Sequence, residues 1–118
     1  MRVASLLDRY SVLVAGETPT ALVVEIRHIA PNGRGGRVET KIGLLAAAPI
    51  PAEPEAAAHW RADLVLRNDI SNDLLDPRLP DAMADWLLQA TSCTEPLLLN
   101  VHEGRNTSFV ERGKIFND

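Results

Sequence analysis

The chain is poor in the groups that usually announce a chemistry. It has one cysteine, Cys93, so no internal disulfide can form and a disulfide-stapled scaffold is excluded. His28, His59 and His102 join Cys93 as the whole stock of imidazole and thiol ligands, and no two of the four have the spacing of a zinc site. Neither a metal nor a cofactor is expected. No apolar run approaches the roughly 18–20 residues needed to span a bilayer, and no charged start leading into a long apolar run marks a signal peptide. The expected compartment is the cytoplasm, with no membrane contact. The N-x-S triplet at Asn106 to Ser108 is then fortuitous, because glycosylation needs a secreted chain. Aromatic residues are only 4% of the chain, so its core must be built from Leu, Val, Ile and Ala. A net charge of -4 argues against nucleic acid as a partner, since phosphate binding needs clustered Lys and Arg.

What is present is an ordinary globular composition. With 118 residues, 46% hydrophobic and 24% charged, the chain reads as a single domain over 1–118. Its clearest signal lies between Thr20 and Leu45. Leu22, Val24, Ile26 and His28 alternate with Val23, Glu25, Arg27 and Ile29. Val38, Thr40, Ile42 and Leu44 then alternate with Arg37, Glu39, Lys41 and Gly43. A hairpin setting Leu22 against Leu44 and His28 against Val38 aligns the two apolar faces and pairs Arg27 with Glu39 and Glu25 with Lys41. The turn is placed at Asn32, Gly33 and Arg34, with glycine supplying positive φ.

Val3, Leu6, Leu7 and Tyr10 are spaced i, i+3, i+4 and i+7, which predicts an N-terminal helix over about 2–10. Ser11 to Ala15 is β-prone and would complete a three-stranded meander. Residues 46–58, rich in Ala, Pro and Glu, read as a connector. From Trp60 to Leu66, alternation favours a strand over the competing helix with a polar stripe through His59, Asp63 and Arg67. Residues 71–80 read as a loop with a helical turn near Leu74. Pro80 then suits the first turn of a helix whose stripe is Leu79, Met83, Trp86, Leu87 and Ala90. Pro96 to His102 alternates as a strand, and Thr107 to Arg112 returns from a turn after Gly104 in a register left open. Residues 113–118 form a tail. The expected fold is α+β: a mainly antiparallel sheet of five or six strands, with the N-terminal helix and one central helix packed on one face.

Four constellations bear on function. Five aspartates and one arginine lie between Asp69 and Asp85, and Asp73, Asp76, Asp81 and Asp85 would suit a partner protein with a basic surface. Ile115 and Phe116 in the tail need cover and could anchor that partner. Arg34 and Arg37 beside three glycines could hold an anion, although the turn itself already explains the glycines and the lysine of a P-loop is missing. Asn100 and His102 gather at a strand end with Glu103 and Arg105, the setting of a ligand or acid–base site, but Glu103 would point to the opposite face from His102. A Cys93–His102 dyad is set aside because Cys93 falls beside the apolar stripe of its helix. No catalytic motif is present. The leading reading is a small acidic protein-interaction module, an accessory, inhibitor or adaptor, acting by stoichiometric binding and not as an enzyme. The alternatives are a small enzyme or ligand-binding domain at His102, Asn100 and Arg105, and a homodimer formed by sheet-edge pairing.

Overall fold

The computed structural model describes residues 2–18, 21–48, 60–91 and 96–113. It corrects the expected fold: the chain is mostly β, a seven-stranded mixed sheet curled into a half-barrel. The strands are β1 (Arg2–Leu6), β2 (Tyr10–Thr18), β3 (Ala21–Pro31), β4 (Arg37–Ala47), β5 (Trp60–Leu66), β6 (Leu97–Glu103) and β7 (Asn106–Arg112). They lie in the sheet in chain order. One α-helix, α1 (Leu79–Thr91), stands among the described residues.

No N-terminal helix forms. The residues assigned to it make the β1–β2 hairpin, with Leu7 and Asp8 both in the left-handed region (φ 53° and 58°) and Arg9 N–H donating to the Leu6 carbonyl. A tight turn with two such residues normally carries Asn and Gly. Asp8 tolerates this conformation but Leu7 rarely adopts it, and with neither Asn nor Gly present the helical spacing of Leu6, Leu7 and Tyr10 outweighed the turn signal. Tyr10 and Val12 are instead fully buried on the core face of β2.

The organising hairpin is real, but its register is shifted. His28 faces Thr40 and Ala30 faces Val38 near the turn, whereas Val24 faces Leu45 and Leu22 faces Ala47 at the far end. Between them, Arg27 faces Lys41 and Ile26 faces Gly43, which leaves Ile42 as an extra residue. This bulge switches which residues of β4 face the core: the inner face carries Ile42 at the bulge and Leu45 and Ala47 after it. Two-residue alternation cannot register such a switch. Gly43 is required here, because a Cβ would run into the Val65 carbonyl oxygen. The expected Arg27–Glu39 cross-pair is replaced by one carboxylate serving two cations: Glu25 accepts from Arg27 at 2.7 Å and meets Lys41 at 3.5 Å.

The second correction is one of direction. β1 to β5 are antiparallel, but β5 and β6 run parallel, with Trp60 facing Leu97 and Leu66 facing Glu103. The 30 residues between Leu66 and Leu97 hold a 3₁₀ turn (Asn72–Leu74) and α1, long enough for the crossover that parallel pairing demands. β5 itself alternates without fault between buried and exposed positions. Leu79, Met83, Ala84 and Leu87 of α1 join one core with the inner faces of β2 to β6. The helix touches β6 and β7 at one edge of the sheet and β1 at the other, so the curled sheet wraps it. Area burial of this kind contributes about 1.5–3 kcal/mol for each large aliphatic side chain.

Candidate functional site

The helix covers the inner face of the sheet, and the outer face of β5, β6 and β7 carries the polar side chains. Parallel pairing of β5 with β6 sets Asp63 opposite Asn100 and Val65 opposite His102. Antiparallel pairing of β6 with β7 sets His102 opposite Thr107 and Asn100 opposite Phe109. All six side chains share one face by period-two alternation. His102 Nε2 lies 3.0 Å from Asp63 Oδ1. A carboxylate only accepts, so Nε2 carries the proton and Nδ1 is left as an acceptor, with the Thr107 hydroxyl 3.5 Å away. The carboxylate that orients His102 is therefore Asp63 from the neighbouring strand. Adjacent in sequence, Glu103 sits at the exposed end of β6 opposite Leu66 and Asn106. Nothing in the spacing of Asp63 and His102 could reveal the pair, because it depends on the parallel crossover.

This constellation is open: the side chains of His102 and Asp63 are 37% and 54% exposed. Two large apolar side chains flank it, Val65 at 52% and Phe109 at 65% exposure. Arg105 stands exposed in the two-residue turn that joins β6 to β7.

The aspartates behave otherwise. Asp76 is buried and accepts two hydrogen bonds from the Arg78 guanidinium, at 3.1 and 2.8 Å, and one from the Arg78 backbone N–H at 2.9 Å. Arg9 adds a third cationic nitrogen at 3.8 Å. The hydrogen bonds from Arg78 chiefly hold the carboxyl down at a pKa of about 2. The Tyr10 hydroxyl closes this cluster by donating to the Leu74 carbonyl at 2.7 Å and accepting from Asp76 N–H at 2.8 Å. Asp81 and Asp85 both engage Arg112 of β7, at 3.0 and 3.6 Å. Asp73 is exposed, beside a backbone carbonyl that accepts from Arg9. Three of the four aspartates thus already hold arginines of their own chain. A crevice of about 360 Å³ opens at the carboxyl ends of β5 and β6, where ligands commonly sit in α/β sheets. Its buried carboxylate is Asp76, already saturated by Arg78.

No family model, curated protein or solved structure matches this chain. Among the described residues no three His, Cys, Asp or Glu side chains are grouped as metal ligands, and no helix is long and apolar enough to cross a membrane.

At the 32–37 turn, Arg34 and Arg37 are exposed and form no ion pair among the described residues. The Asn32 side chain accepts from the backbone N–H groups of Arg34 and Gly36, which occupies two of the donors that would have cradled an anion. His59, Cys93, Ile115 and Phe116 lie outside the described residues.

Proposed function

We propose that this chain is a non-catalytic protein-binding module that receives its partner on the outer face of β5, β6 and β7. The observation carrying this reading is the pair Val65 and Phe109. Each exposes more than half its surface, Val65 on β5 and Phe109 on β7, with Asn100 and His102 of the intervening β6 between them. Exposed apolar side chains bordered by hydrogen-bonding groups are the usual composition of a docking patch. Asp73, Asp81 and Asp85 lie in the β5–β6 crossover on the helix side of the sheet and would add charge complementarity for a basic partner that reaches beyond the outer face, weakened at Asp81 and Asp85, which Arg112 already neutralises. The lone cysteine supports a cytoplasmic setting.

The test is an affinity capture from the host lysate at low and high salt, with mass spectrometry of what is retained. Wild type is expected to hold a partner in stoichiometric amount, and Phe109→Ser to lose it. Retention by Phe109→Ser as strong as by wild type overturns the reading. Salt sensitivity that survives Asp73→Asn, Asp81→Asn and Asp85→Asn together removes the electrostatic part alone.

A second reading, a small-ligand or general-base site, is favoured by the 3.0 Å bond from His102 to Asp63, which fixes the imidazole tautomer. Its mark would be a ligand whose binding disappears in His102→Gln while Phe109→Ser leaves it intact.

A further inference from the structure

The loop that follows β5 is tied down by the first hairpin. Tyr10 holds it at two points, the Leu74 carbonyl and the Asp76 N–H. Arg9 holds it at two more: Nη2 donates to the Asp73 carbonyl at 2.9 Å, and Nη1 lies 3.8 Å from Asp76 Oδ2. The loop's own structure is one 3₁₀ turn, Asn72–Leu74, in which Leu74 N–H bonds to the Ser71 carbonyl. So short a turn has little stability by itself, and its place depends on those ties and on the partial burial of Leu74 and Leu75. Asn72, Leu75 and Asp76 also line the 360 Å³ crevice, facing Leu66, Val101 and Ser108 from the strands.

The Arg9 tie has a condition attached. The same Nη2 that reaches the Asp73 carbonyl gives its other hydrogen to His28 Nε2, 3.2 Å away. Neutral imidazole can accept that hydrogen; imidazolium carries a proton on both nitrogens, cannot accept, and repels the guanidinium. His28 is 7% exposed, whereas the Arg9 side chain is 40% exposed and has water to move into. Tyr10 and Arg9 face the His28 ring from β2 and its turn, and β4 sets the uncharged Thr40 opposite. On the loop, Asp76 and Arg78 pair with each other, and Asp76 also meets Arg9. Between pH 7.5 and 5 only His28 in this cluster changes charge. Asp76, held down chiefly by its hydrogen bonds from Arg78, stays ionised to a pKa of about 2, and burial pushes the Tyr10 hydroxyl above its ordinary range.

We propose that residues 71–76 form an acid-released strap: protonation of His28 drives Arg9 off the loop, the loop loosens, and the crevice at the carboxyl ends of β5 and β6 opens. The neutral imidazole favours the fastened loop. Once the loop is released, Arg9 is free to leave the ring, and His28 takes up its proton more readily than in the fastened form. The released form therefore gains as pH falls from the ordinary imidazole value through the lower folded one. The rest of the sheet does not share the change, because β5 and β6 are joined by their own ladder.

The test is amide hydrogen exchange of the whole chain at pH 7.5 and pH 5, read by mass spectrometry on peptides covering 71–76 and 97–103. Wild type is compared with His28→Gln at each pH, so that the intrinsic pH dependence of exchange cancels; glutamine keeps an acceptor for Arg9 and does not titrate. At pH 7.5 the two chains should protect 71–76 alike. At pH 5 the wild-type segment should exchange about ten-fold faster than that of His28→Gln, the size expected for losing a hydrogen bond to a charged group, while 97–103 exchanges equally in both. Arg9→Gln provides a second variant at a half-exposed turn position. It should loosen 71–76 already at pH 7.5 and show no further acid step against His28→Gln. Equal protection of 71–76 in wild type and His28→Gln at pH 5 overturns the proposal. So does loss of protection in 97–103 together with 71–76, which would make the acid step a loss of the whole fold, and so does an acid step of wild-type size that survives in Arg9→Gln.

Discussion

Two histidines of this sheet lie on opposite faces and show opposite chemistry. His28, on β3, is buried; its Nε2 lies 3.2 Å from Arg9 Nη2, a group that can only donate, so Nε2 is the acceptor and the proton sits on Nδ1. Its ring packs edge-on to Tyr10 with centroids 5.5 Å apart. Burial, and secondarily the Arg9 charge, pushes its pKa below the ordinary imidazole value. His102, on β6, has the other tautomer, with Nε2–H given to Asp63 and Nδ1 open towards Thr107 and solvent. One histidine belongs to a closed cluster in which Tyr10, Arg9, Asp76 and Arg78 satisfy one another and tie the loop after β5 to the first hairpin. The other belongs to a group with hydrogen-bonding capacity to spare. A saturated cluster stabilises, and an unsaturated one on an open face is where a partner finds contacts.

The strongest way to break this contrast is at Gly43, where β4 approaches β5 most closely. Gly43→Ala drives a Cβ into the Val65 carbonyl, and about 3 kcal/mol of stability should be lost in urea unfolding. Partner capture would fall with it, because β5 carries Asp63 and Val65. Next is Tyr10→Phe, which strands the Leu74 carbonyl and the Asp76 N–H. It should cost about 1–3 kcal/mol and leave capture through Phe109 intact in the folded fraction.

Acid separates the clusters further. His28 has a lower pKa folded than unfolded, so its contribution is complete above the ordinary imidazole value and is lost as pH falls through the folded one. Asp76 also has a depressed folded pKa. Its contribution is complete above the ordinary carboxylate value and is lost as pH falls from there towards about 2. Thermal melts should therefore decline in two stages, the first absent in His28→Gln and the second absent in Asp76→Asn. The smallest expected effect sharpens the comparison most: His102→Gln should change stability by no more than about 0.5 kcal/mol while reducing partner capture. A large loss of stability in that variant would place His102 with the structural cluster.

The elements legible in the chain are those whose burial follows a single period from end to end. β5 and β6 alternate without interruption, and α1 buries Leu79, Met83 and Leu87 on one stripe while Asp81, Asp85 and Gln89 face out. Where the period breaks, local pattern no longer reports the fold. Leu7 and Asp8 occupy a turn that has neither Asn nor Gly, and Ile42 is an extra residue that reverses the alternation of β4. The candidate site was half legible. His102 and Asn100 stood out as polar residues on a strand, but Asp63, Thr107 and Phe109 reach them across strand pairings that local pattern does not encode. The acidic segment was conspicuous, yet the arginines that occupy Asp76, Asp81 and Asp85 come in part from 67 residues earlier and 27 later in the chain.

By itself the sequence determined where β3 to β6 and the helix α1 run, and that the core would be mainly aliphatic. These follow from hydrophobic periodicity, which acts over a few residues at a time. Only the tertiary structure decided that the first segment is a hairpin, that β6 lies parallel to β5, and that His102 meets Asp63 while Asp76 is already taken. Those outcomes depend on contacts between residues tens of positions apart. Their free energy is realised only once the whole sheet has curled around α1.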